Sequence, residues 1–75
     1  MNHFPAITAK EVIKVLTSLG FYVHHQKGSH KVFKRDFDKK RVVVPFHSGN
    51  IIPRKTLKSI LSDAGVLMDK LLELL

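Results

Sequence analysis

The chain has 75 residues, 44% of them hydrophobic, no cysteine, and a net charge of +7 from thirteen Lys and Arg against six Asp and Glu. That length predicts one domain, spanning residues 1–75, with a modest core, and the apolar content excludes a disordered chain. Disulfides and thiolate zinc sites are excluded, and the composition suits a reducing cytoplasm. No apolar run reaches the ~18 residues of a membrane span, and Met1-Asn2-His3-Phe4-Pro5 lacks the charged-then-apolar pattern of a signal peptide.

Charge is unevenly placed. Residues 1–58 carry twelve basic and three acidic side chains, a balance of +9; residues 59–75 carry one and three, a balance of −2. A concentrated basic field favours a polyanion by steering and by counterion release. Nucleic acid fits better than an anionic membrane, because no basic amphipathic helix coincides with the charge.

In chain order, Thr8-Ala9-Lys10-Glu11 reads as a capping box. Val12, Leu16 and Leu19, with Ile13 beside them, then form one apolar stripe, and Gly20 supplies the left-handed stop. The first helix is expected over 8–19. Phe21 to His25 is rich in strand formers, Gln26-Lys27-Gly28-Ser29 reads as a turn, and His30 to Arg35 alternates as a second strand. Asp36 to Lys39 is a hairpin loop. Lys40 to Phe46 is the third strand, with Pro45 confined to a strand end or a sheet edge. His47 to Asn50 is a loop. Pro53 suits the first position of a helix carrying Leu57, Ile60, Leu61 and Ala64, ended by Gly65. A last helix from about Met68 carries Leu71, Leu72 and Leu75; Leu74 falls off that stripe, which makes it the candidate for a partner contact. The order α-β-β-β-α predicts an α+β fold, a three-stranded antiparallel meander with helices on one face. The other face is left for solvent or a ligand.

Five histidines compete for chemistry. His3 precedes the first element and is given no role. His24 and His25, adjacent on a strand, are expected on opposite faces and so unable to serve one site. Metal is disfavoured: no His pair has helical i, i+4 spacing, and carboxylates are scarce near the histidines. His30 follows a glycine turn and His47 follows the third strand, both among basic residues. Imidazole titrates near pH ~6.5 and exchanges protons at neutral pH. RNA cleavage needs that exchange, with a base for the 2′-hydroxyl, an acid for the departing 5′-oxygen, and a cation for the phosphorane. No cofactor is required. Gly28 would let backbone approach a phosphate, Ser29 would hold it or orient His30, and Lys27 and Lys31 would neutralise it. Lys-Gly-Ser is equally an ordinary hairpin turn, so a non-catalytic RNA-binding module stays open. Its stacking aromatics would come from Tyr22, Phe33 and Phe46, of which at least two are expected in the core.

The ordered set Gly20-Phe21, Gln26-Lys27-Gly28-Ser29-His30, Val42-Val43-Val44-Pro45-Phe46-His47, Ile52-Pro53-Arg54-Lys55-Thr56-Leu57-Lys58-Ser59-Ile60-Leu61 and Ala64-Gly65 resembles the HicA family, small toxins of prokaryotic toxin–antitoxin pairs. The resemblance runs from about residue 9 to the C-terminus. It implies a fold like a double-stranded-RNA-binding domain and endoribonucleolytic cleavage of messenger RNA. The catalytic histidine would be His30, and His47 holds a position where family members often have His. The partner would be a HicB-type antitoxin, with DNA contacted only through it.

Overall fold

The structure is a computed structural model that describes residues 6–46 and 51–75. Helix α1 (Ala9–Ser18) starts at the expected capping box. The Glu11 amide donates to Thr8 Oγ1 at 3.2 Å, and the Thr8 amide donates to Glu11 Oε1 at 2.9 Å. The Thr8 amide, and the Thr8 hydroxyl that donates to the same Oε1 at 3.1 Å, hold the Glu11 carboxyl below its ordinary pKa. The helix stops in a Schellman motif at Gly20, whose φ of +95° is strained for any side chain. The Gly20 amide donates to Thr17 and the Phe21 amide to Leu16, at 3.1 and 3.0 Å. The motif thereby drops Phe21 into the core before the sheet begins.

Strands β1 (Tyr22–Lys27), β2 (His30–Arg35) and β3 (Lys40–Pro45) form one antiparallel sheet in the order β1-β2-β3. The first turn is shorter than the sequence suggests. Lys27 pairs directly with His30, so only Gly28 and Ser29 turn the chain. Gly28, with φ +58°, leads a two-residue hairpin loop, the place where such loops demand glycine. Pro45 ends β3 on the sheet edge, where its missing donor costs no ladder bond.

Helix α2 (Arg54–Ala64) has Pro53 as its N-cap, one position outside the expected place. Gly65 (φ +72°) ends it in a second Schellman motif, with the Gly65 amide donating to Ser62 and the Val66 amide to Leu61. The Ile52 amide donates to the Ile7 carbonyl at 2.8 Å, tying together the approaches to α1 and α2.

Val12, Val15 and Leu16 of α1, Phe33, Val42 and Val44 of the sheet, and Leu57, Ile60 and Leu61 of α2 make one continuous apolar cluster. The helices therefore cover one sheet face, as expected. Helix α3 (Met68–Leu74) closes the cluster with Leu71, fully buried, and packs against α1. Val15, one position before Leu16 and three after Val12, is buried on the same face of α1. The tail stripe itself differs from expectation. Met68, Leu71 and Leu74 face inward at three-residue spacing, while Leu72 and Leu75 are exposed. Leu74 is thus a packing residue and not an exposed contact.

Arg35 anchors the end of the sheet away from the Gly28 turn. It donates to both Asp38 carboxylate oxygens, at 3.1 and 2.7 Å, and to the Leu19 carbonyl at 2.8 Å. Its guanidinium also lies over the rings of Phe21 and Phe37. This hydrogen bonding keeps the Asp38 carboxyl below its ordinary pKa.

Candidate active site

Side chains alternate across a strand, so the core position of Phe33 fixes the facing of its neighbours. Lys31 and Arg35 lie on the helix side with Phe33. His30, Val32 and Lys34 lie on the open side, and their β3 partners Pro45, Val43 and Arg41 lie there too. Val32 is buried although it is outside the core cluster, so the side chains of this open face cover it.

On β1, Lys27 stands opposite His30, His25 opposite Val32, and Tyr22 opposite Lys34. Between Val23 and His25 the register slips by one, and His24 is the extra residue of a β-bulge. The His24 and His25 ring centroids are 6.1 Å apart at 68°, too close for opposite faces. The expectation that they point apart is therefore wrong. A bulge interrupts the two-residue alternation on which it rested, and both imidazoles join the exposed open face.

The Gly28–Ser29 turn is held from two sides. Gln26 Nε2 donates to the Gly28 carbonyl at 3.3 Å. The Phe46 amide donates to the Ser29 carbonyl, fastening the turn to the end of β3. A Cβ built on Gly28 meets nothing within 4 Å, so glycine is demanded by its φ and the space beside the turn is open. Lys27, Gly28, Ser29 and His30 are thus brought together on an accessible hairpin end. Lys31 is turned away; its ammonium lies 4.2 Å from the Phe46 ring centroid on the helix side. His47 lies outside the described residues.

Three cations, Lys27, Lys34 and Arg41, share the open face with His24, His25 and His30. Tyr22 lies among them and is exposed, but its hydroxyl donates to Asp36 Oδ1 at 2.8 Å, and that bond raises its pKa. Of the expected aromatics, Phe33 is buried in the core and Phe46 is half-buried against it, so no stacking platform is built from them. Among the described residues no group of three or more His, Cys, Asp or Glu is placed to hold a metal ion. None of their helices is long and apolar enough to cross a membrane.

The open face also brings Lys34, Arg41 and the two β1 histidines near His30, none of which the sequence alone assigns to the candidate site. A usable signal was present. Treating Gly28–Ser29 as the whole turn fixes Lys27 against His30 and places His25 diagonally from it.

The family model for the HicA toxin of bacterial toxin–antitoxin pairs matches residues 9–66. That span runs from the first residue of α1 to just beyond α2, and it contains the whole open face. No curated protein matches the chain significantly.

Proposed function

The chain belongs to the HicA toxin family, and from that membership and the hairpin geometry we propose that it is a ribonuclease toxin that cuts messenger RNA at the open sheet face around His30. As a toxin of such a pair it has an antitoxin for a partner; a HicB-type protein covering the open face fits this reading. RNA as substrate places its action in the cytoplasm.

The observation that carries the proposal is the pairing of an exposed imidazole with a lysine directly opposite it, on a fixed hairpin end within a basic face. The reaction follows from these groups. RNA binds with its phosphate against Lys27 and the Gly28–Ser29 turn. An imidazole takes the 2′-hydroxyl proton as that oxygen attacks the adjacent phosphorus. Lys27 compensates the charge that accumulates on the phosphorane oxygens. A second acid delivers a proton to the leaving 5′-oxygen. His30 supplies one of the two transfers. His47, drawn from the sequence alone, is one candidate for the other. The chemistry asks for neither a covalent enzyme intermediate nor a metal. Lys31, turned to the helix side, contributes to the general field and not to the bound phosphate.

The test is cleavage of RNA in EDTA by the wild type and by His30→Ala. The wild type cuts, and the variant loses about 10²–10⁴-fold in rate. Equal cutting by the variant overturns the assignment of His30, and loss of wild-type cutting in EDTA overturns the metal-independent reaction. A non-catalytic binder would leave the RNA intact; Phe33 and Phe46 lie on the core side, which leaves Tyr22 as the one expected aromatic on the open face and favours cleavage over that reading.

A further inference from the structure

We infer that His25 is the second catalytic histidine, working with His30 across one phosphate held over Lys27. The inference rests on the ribonuclease reading and extends it to a residue whose facing is set by the bulge.

The register carries the argument. From His25 to Lys27 and from His30 to Val32 the ladder is regular: His25 faces Val32, Gln26 faces Lys31, and Lys27 faces His30. On the open face these four positions make a small lattice with His25, Lys27, His30 and Val32 at its corners. Lys27 is the corner shared by both imidazoles. It lies directly across from His30, at a Cβ spacing of about 4.5–5.5 Å, and His25 lies diagonally from His30, at about 7–8 Å. His25 and Lys27 are two residues apart on β1, about 6.6 Å along the strand. A phosphate resting on the Lys27 ammonium is therefore flanked by one imidazole from each strand.

In-line transfer has that requirement. The attacking and leaving oxygens stand on opposite sides of phosphorus, so the base and the acid must also approach from opposite sides. Their separation is two hydrogen bonds of about 2.6–3.2 Å each plus the O–P–O axis, a span that two imidazoles at diagonal strand positions bridge. Val32 between them is buried and apolar, which gives the site a dry floor. His24, the bulged residue, pairs with no β2 residue; its edge contact leans on the His25 ring from outside the lattice.

The step balances without a co-reactant. One imidazole, neutral, accepts the 2′-hydroxyl proton as the O2′–P bond forms. The other, protonated, donates to O5′ as the P–O5′ bond breaks. The products are a 2′,3′-cyclic phosphate and a free 5′-hydroxyl, and the two imidazoles have exchanged protonation states.

The experiment uses the full chain and an RNA oligomer whose cleavage site is mapped with the wild type. A second oligomer carries sulfur in place of the bridging 5′-oxygen at that site, a leaving group that departs without a proton. His25→Ala and His30→Ala are each expected to lose about 10²–10⁴-fold on ordinary RNA. On the sulfur-bridged RNA one of the two recovers to near the wild-type rate and the other does not, which identifies the acid and the base. Thermal melts and anisotropy with uncleavable 2′-deoxy oligomer show folding and binding near wild type for both. The inference is overturned if His25→Ala cuts ordinary RNA at the wild-type rate, if His24→Ala loses more than His25→Ala, or if sulfur bridging rescues neither variant. His25→Ala active while His30→Ala is dead would remove His25 and leave the ribonuclease reading standing; RNA left intact by the wild type would remove both.

Discussion

Gly28 shows how one residue sets the site. Its φ of +58° permits a two-residue turn, and that turn is what places Lys27 against His30. Alanine there meets no steric clash with neighbouring atoms. Its cost is backbone strain alone, about 1–2 kcal/mol. A thermal melt of Gly28→Ala should therefore fall by roughly 4–8 °C per kcal/mol, and cleavage should fall with it because the two paired side chains lose their register. Thr8 is the contrasting case, far from the chemistry. Thr8→Ala removes the capping hydrogen bond to Glu11 and should cost about 1 kcal/mol in denaturant unfolding with no change in the RNA cleavage proposed for the folded protein. The carboxyls of Glu11 and Asp38 both sit below their ordinary pKa in the folded chain, through bonds to Thr8 and Arg35 respectively. Their contribution to stability is present above the unfolded carboxylate range and is lost as pH falls through their depressed folded values. Melts recorded from neutral pH downward should show that loss, and Glu11→Gln should flatten part of it.

Among the elements, those with strong local chemistry were legible in the sequence and those defined by long-range contact were not. The capping box, the two glycine stops and the Asp36–Lys39 loop each declare themselves through residues next to one another in the chain. The bulge at His24 does not, because a register slip depends on what β2 presents opposite it. Strict alternation therefore put His24 and His25 on opposite faces, and of the two lysines read beside His30 the folded hairpin keeps Lys27 and turns Lys31 away, while the bulge brings His25 onto the same face. The tail failed for a related reason. Helix α3 has seven residues, too few for a stripe to be read without knowing which side α1 occupies. Its burial predicts that Leu71→Ala costs about 2–5 kcal/mol, whereas Leu72→Ala, at an exposed position, leaves unfolding nearly unchanged. Equal losses at both positions would contradict the packing described for α3.

For the whole molecule, the sequence charge balance pointed to a polyanion but not to a surface. The fold sorts the cations: Arg35 is consumed in holding Asp38 and the Leu19 carbonyl, Lys31 rests on Phe46, and Lys27, Lys34 and Arg41 remain on the open face with three imidazoles. Removing one of those open-face charges should weaken RNA binding and reduce its salt dependence. Arg41→Ala in a His30→Ala background, titrated with intact RNA, should lower the log–log salt slope by about 0.7. The central claim, that this face cuts RNA through its own 2′-hydroxyl, is tested most directly by the chemistry of the cut ends formed in EDTA. The expected ends are 2′,3′-cyclic or 3′-phosphate on one fragment and a 5′-hydroxyl on the other; a 3′-hydroxyl with a 5′-phosphate would contradict that chemistry.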